Sequence, residues 1–178
     1  MALTRLIGAN AISGTLPAAN INNTSISSVT SLPAAITTGK VLQVVTTNTS
    51  TKLASTSTSF IASGIGLSVN ITPSSTSNKI FVIASTCIRN SNNESYTTAT
   101  IYRDSTNLGN SNLGMGTVWG SNSSVPNVPH TMQYLDSPSS TSQITYEVYF
   151  RAVGSGTAYL NGIDNNNQGT ITAFEIEG

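Results

Sequence analysis

Between Ile144 and Arg151 the chain alternates with a period of two. Ile144, Tyr146, Val148 and Phe150 fall on one side, and Thr145, Glu147, Tyr149 and Arg151 on the other. Successive side chains of a β-strand point to opposite faces, so this pattern reads as a strand with one face in a core. No stretch of the chain places apolar residues at helical spacing over helical length. A sequence with this period and no helical stripe must bury its apolar faces by laying sheet against sheet.

The same reading extends over residues 40–178. Val41-Leu42-Gln43-Val44-Val45 is a short β-branched run. Leu67, Val69 and Ile71 alternate with Ser68 and Asn70, and Pro73 to Asn78 follows as a turn. Ile80 to Ala84 is apolar on both faces, which suits a central strand. Thr97 to Arg103 is a Thr-rich strand with Ala99 and Ile101 on one side. Gln133-Tyr134-Leu135, Tyr159-Leu160 and Thr170 to Ile176 complete the pattern, the last with Phe174 and Ile176 expected inward and Glu175 and Glu177 outward. Short strands at near-regular spacing predict an all-β, antiparallel sandwich, jelly-roll-like.

Residues 1–39 read differently. Two related phrases, Thr15-Leu16-Pro17-Ala18-Ala19 and Ser31-Leu32-Pro33-Ala34-Ala35, place prolines that hold the preceding Leu extended. Ile21, Ile26, Val29 and Ile36 lie among Asn, Ser and Thr with no clean period. Such a segment does not bury enough surface alone to offset its ordering entropy. It is either an arm that orders on a neighbour or a leader with no partner. The expected division is therefore an extended N-terminal attachment arm over 1–39 and a β-sandwich domain over 40–178. In the arm reading, Leu16, Pro17, Ile21, Leu32, Pro33 and Ile36 bind the partner.

Composition bears on function. Charged residues make up only 8% of the chain, while Ser, Thr and Asn together fill about 40%. An average soluble domain carries about 25% charged residues. General acid–base catalysis and metal ligation draw on the scarce types, so no catalytic, metal-binding or cofactor-binding residues are expected. Seven Lys and Arg balance seven Asp and Glu, without a basic cluster for phosphates, which argues against nucleic acid. No apolar run approaches a membrane span, and Met1 to Ile12 lacks the apolar core of a secretory signal. One Cys excludes an intrachain disulfide, consistent with synthesis in a reducing cytoplasm. Zero formal net charge is a liability for a free monomer and points to an assembled protein.

A few residues carry chemical alternatives. His130 could act as general base to a Ser, with Asp136 as its orienter, or be a structural or surface His. Cys87 is a buried inert thiol or a reactive one. Asp164-Asn165-Asn166-Asn167-Gln168-Gly169, with Glu175 further on, approaches a calcium loop but departs from it at Gln168; the plain reading is a hairpin loop. Asn107 to Val128 reads as a long Gly/Asn/Ser loop containing Met115 and Trp119. Those two mark a glycan-stacking platform, an oligomer interface, or a cap on the core. Tyr96, Tyr102 and Tyr149 fall on polar strand faces, as interface residues or ordinary exposed tyrosines.

Several phrases resemble small structural proteins of tailed bacteriophages, especially those infecting cyanobacteria and other aquatic hosts. They are Gly39-Lys40-Val41-Leu42-Gln43-Val44-Val45; Gly66 to Ile80 with its Thr-Pro-Ser-Ser-Thr-Ser-Asn-Lys centre; Leu135-Asp136-Ser137-Pro138; and Ala173-Phe174-Glu175-Ile176. The opening Ala2-Leu3-Thr4-Arg5, with its Ala-Asn-Ala-Ile-Ser-Gly phrase, is similar to leaders of phage fibre or decoration proteins. The resemblance implies a β-sandwich head on an attachment arm, oligomeric and often trimeric, at the virion surface. It implies a capsid decoration or cement protein docked on the major capsid protein, or a short tail fibre on tail proteins that touches host glycan. A free carbohydrate-binding module is the remaining alternative.

Overall fold

A computed structural model of the chain describes residues 40–178 apart from 93, 121–126 and 163. The expected arm, with Leu16, Pro17, Ile21, Leu32, Pro33 and Ile36, lies outside the described residues. The described residues contain no helix. They form β1 (Val41–Thr49), β2 (Leu53–Ser55), β3 (Ile61–Ala62), β4 (Ser68–Ile71), β5 (Lys79–Asn90), β6 (Tyr96–Arg103), β7 (Thr106–Asn107), β8 (Gly116–Trp119), β9 (Val128–Asp136), β10 (Ile144–Val153), β11 (Ala158–Leu160) and β12 (Gly169–Ile176).

Every pairing between these strands is antiparallel. In the first sheet β1 pairs β12, β12 pairs β5, and β9 lies on the other side of β5. The short β11 continues the β12 lane along β5, and β2 continues the β1 lane beside it. In the second sheet β3 and β4 share one side of β10, β6 takes the other, and β7 and β8 share the far side of β6. Merging these collinear pairs leaves lanes 1-8-3-6 in one sheet and 2-7-4-5 in the other, counted in chain order. That order is the jelly roll, two Greek keys wound so that consecutive lanes mostly change sheets.

The core sits between the sheets. On β10, Ile144, Tyr146, Val148 and Phe150 are all buried, as the alternation predicts, and they face Ile80, Val82 and Ala84 of β5 among others. Leu67, Val69 and Ile71 are likewise buried. The central place expected for Ile80 to Ala84 holds, since β5 has neighbours on both sides.

One strand is turned over relative to expectation. On β12 it is Ile171, Ala173 and Glu175 that are buried, while Phe174 and Ile176 lie on the outer face. Because the side-chain period is two, shifting the phase by one residue exchanges the faces. The charge on Glu175 argued for solvent, but donors gather around its carboxylate at the end of the sandwich. The Asn78 amide and the Ser74 N–H donate at 2.6 Å, and the Ser74 hydroxyl and the Gln43 amide at 2.7 Å. A carboxylate so enclosed is satisfied without water.

Candidate interaction surface

The outer face of the second sheet collects a group of aromatic residues that the core does not use. Tyr149 on β10 and Tyr102 on β6 are diagonal neighbours, since Tyr149 pairs Thr100 and Tyr102 pairs Glu147. Their rings stack with centroids 3.8 Å apart and 17° between planes. Phe60 tilts against Tyr102 at 6.3 Å, and the Arg151 guanidinium lies 5.0 Å from the Phe60 ring centroid. Arg151 also donates to the carbonyls of Thr58, at 3.0 Å, and Asn112. Beside this group the Glu147 carboxylate accepts from the Gly64 N–H at 2.9 Å and the Ser63 hydroxyl at 3.1 Å. Burial, then the Glu147 charge, then Tyr102, push the Tyr149 phenol above its ordinary pKa.

A second aromatic pair lies further along β6. Tyr96 stands directly opposite Trp119 of β8, and the two rings stack at 5.1 Å and 17°. One side of the indole is thus backed by an aromatic ring, yet Trp119 remains 60% exposed. Thr98 and Thr100 are fully buried although they belong to the same outer face. Residues 108–115 cover them. Thr98 donates its hydroxyl to the Leu113 carbonyl, and Thr100 to the Asn107 side-chain oxygen at 2.8 Å. Gly114 makes the crossing possible. It adopts φ +59°, and a Cβ there would stand 2.4 Å from the Ala99 carbonyl oxygen.

This geometry corrects the expectation of one long loop from Asn107 to Val128. The segment begins at the end of β7, crosses the sheet, then re-enters it as β8, with residues 121–126 outside the described set. Trp119 is therefore on a strand end, held in place by Tyr96. Met115 does not share its setting. It is half-buried, packs against the core, and its N–H donates to the Ala99 carbonyl at 2.8 Å. Of the two residues singled out in the loop, only Trp119 offers a contact surface. Phe60 escaped the sequence reading because it stands alone in a Ser/Thr-rich stretch, without a periodic neighbour.

The catalytic alternative is not assembled. His130 and Asp136 are six residues apart on β9, about 20 Å at strand rise, so the carboxylate does not orient the imidazole. Asp136 is instead held by Arg103, whose Nη1 lies 2.9 Å from both carboxylate oxygens, and by the Tyr146 hydroxyl at 2.6 Å. Burial, followed by this bond and the Asp136 charge, raises the Tyr146 pKa. The His130 Nε2 is buried with no hydrogen-bond partner, and burial lowers the His130 pKa. The Cys87 thiol donates to the Asn167 side-chain oxygen at 3.6 Å and is pushed up by burial, which disfavours the reactive thiolate.

The calcium-loop alternative fails for a similar reason. Glu175 faces the interior with its donors, Asn165 accepts from the Lys52 N–H at 3.0 Å, and Asp164 accepts from the Asn166 amide at 3.0 Å. Among the described residues no group of three or more His, Cys, Asp or Glu could hold a metal ion.

No protein-family model matches the chain, and no curated protein matches it. Among solved structures, the chain is similar to one from the infectious bursal disease virus Gt strain, at 15% identity and a TM-score of 0.36, over 75% of this chain and 39% of that one. It is similar also to the infectious bursal disease virus VP2 subviral particle, at 12% identity and a TM-score of 0.35, over 76% of this chain and 40% of that one. The chain thus spans about two fifths of the length of those solved chains. The jelly-roll assignment rests on the strand pairings alone.

Proposed function

We propose that this chain is a non-enzymatic structural protein of a tailed-phage virion, a capsid decoration or cement protein that docks through residues 1–39. In this reading Leu16, Pro17, Ile21, Leu32, Pro33 and Ile36 bury against the major capsid protein, and the jelly roll projects from or bridges the surface. The observation that carries it is the division of labour on the described residues. Asp136 and Glu175 are spent on buried internal bonds, while the outer faces present stacked aromatics and mostly uncharged polar groups, with Glu147 and Arg151 as the charged pair on the second sheet. That is a surface built for contact rather than for bond-making. The sequence phrases shared with small phage structural proteins support the same reading, as does a fold that recurs in capsids. The fold alone does not select it, since lectin domains and cupins share it. Trimerisation is implied by the sequence resemblance, and the Tyr102–Tyr149–Phe60 group is a surface for it.

A second reading is a short tail fibre or receptor-binding protein, favoured by Trp119. An indole backed by Tyr96 and open on its other side suits stacking on a sugar ring. A free carbohydrate-binding module would use the same residue without a particle.

The test is the position of the protein on intact particles, read by labelling the segment around Asn122 and imaging. Label over the whole head, at hundreds of copies, is the expected result. Label confined to the tail moves the function to host recognition. No particle label removes both readings and leaves the free module.

A further inference from the structure

The outer face of the first sheet carries a row that the core does not explain. Val44 of β1 pairs Phe174 of β12, Phe174 pairs Phe81 of β5, and Phe81 pairs Leu135 of β9. All four point outward, so the row crosses every lane of the sheet. Val44 is 53% and Leu135 50% exposed, and the two phenyl rings between them touch at 6.1 Å. The next row, Thr46, Thr172, Ile83 and Gln133, is also uncharged, and so is the one after it, Asn48, Thr170, Ser85 and Thr131. Hydroxyl pairs tie these rows internally, Thr46 with Thr172 at 2.9 Å and Ser85 with Thr131 at 3.2 Å.

We infer that this face is an isologous two-fold interface with a second copy of the chain. Three observations select that occupant. First, the row reads aliphatic, aromatic, aromatic, aliphatic from one sheet edge to the other. A two-fold axis lying in the interface parallel to the strands sets Val44 against the second copy's Leu135 and Phe174 against its Phe81. The row is therefore complementary to itself, as an isologous contact requires. Second, the three rows carry no ionised group, so a charged partner would gain nothing here, whereas a second copy brings an equally neutral face. Third, the size suffices. Four strands about 4.8 Å apart and eight residues at about 3.4 Å, which takes in the next row of Val41, Ile176 and Lys79 with its single charge at the rim, give a footprint of about 500 Å² per copy. Two copies bury about 1,000 Å² before side-chain relief is counted, the lower bound for a specific interface. The inference does not rest on the virion reading; it concerns the isolated protein.

The test is sedimentation equilibrium of the full chain over a range of concentrations. The wild-type chain is expected to show a two-fold association step, monomer to dimer, or trimer to hexamer where the three-fold contact also forms. Val44→Lys alone and Leu135→Glu alone should each weaken association at least about tenfold, equivalent to about 1.4 kcal/mol. The doubly substituted chain should recover most of it, because the introduced ammonium then faces the introduced carboxylate of the other copy. Within one copy the two positions are three strand spacings apart, about 14 Å, too far to pair. A second measurement stands apart from charge: in a Cys87→Ser background, mixing Val44→Cys and Leu135→Cys chains should give a disulfide-linked pair on oxidation. A chain that stays monomeric, association that neither single substitution weakens, or a double variant no better than the singles overturns the inference and leaves the row to another protein.

Discussion

The Asn78 side-chain amide donates to the Glu175 carboxylate at 2.6 Å inside the sandwich, where Asn78 is 4% and Glu175 1% exposed. Burial alone would raise the carboxyl pKa. Hydrogen bonds from Asn78, Gln43 and Ser74 overcome it and lower the value to about 2, from an ordinary 4.5. Between those two values the unfolded chain binds the proton that the folded chain refuses, so stability rises with pH. The contribution is complete above pH 4.5 and is lost as pH falls toward about 2. Thermal melts from pH 5 to 2 should show a fall in Tm that is shallower in Glu175→Gln. Equal slopes in the two proteins would contradict this account.

Glu175→Ala leaves the Asn78 amide and the Ser74 N–H without their buried acceptor. An unsatisfied buried donor costs about 1–3 kcal/mol, and of these two only Asn78 is buried, so urea unfolding should show a loss of about 2 kcal/mol. An outward Glu would lose almost nothing, and the measurement therefore also checks the phase of β12.

Asp136→Ala should be comparably severe. It strands the Arg103 guanidinium and the Tyr146 hydroxyl, which the carboxylate now holds, and breaking one side of a buried ion pair costs about 3–5 kcal/mol. Arg103 is partly exposed, which places the expected loss at the lower end, about 3 kcal/mol. The readout is the urea midpoint.

A Cβ on Gly116 would stand 1.9 Å from His130 Cε1, well inside contact distance. Gly116→Ala should therefore destabilise by about 1–3 kcal/mol, the usual cost of overpacking. In a His130→Ala background most of that cost should disappear. Additive losses in the double-mutant cycle would mean the two positions do not meet.

Trp119→Ala removes a side chain that is 60% exposed, so the unfolding free energy should change by no more than about 0.5 kcal/mol beyond the lost Tyr96 stack. Tyr149→Ala, by contrast, breaks a stack with Tyr102 worth about 0.5–1.5 kcal/mol in addition to its buried area. If Trp119 serves contact, its substitution lowers particle or glycan binding while the melt stays nearly in place.

The strands were legible wherever one face alone was apolar. Ile144 to Phe150 and Leu67 to Ile71 alternate so cleanly that only one phase buries them. β12 was not legible, because Phe174, Glu175 and Ile176 leave two phases with similar apolar content. The choice was made by Ser74, Asn78 and Gln43, residues that are about 100 or more positions away in the chain. For the contact surface, Tyr96, Tyr102 and Tyr149 could be singled out by their place on polar faces, and Trp119 only as an aromatic in a stretch that read as a loop. Their grouping could not, nor could the joining of Phe60 and Arg151 to it, because stacking depends on cross-strand register.

By itself, the amino-acid sequence determined that residues 40–178 form antiparallel sheets with a shared core, because period-two patterning acts locally and admits no helix. The scarcity of ionisable residues likewise set the expectation that function comes from contacts. Only the tertiary structure decided the lane order, the inward turn of Glu175, and the row from Val44 to Leu135. Each of these joins residues far apart in sequence through antiparallel register. Register is set by the packing of the whole sandwich rather than by any one segment.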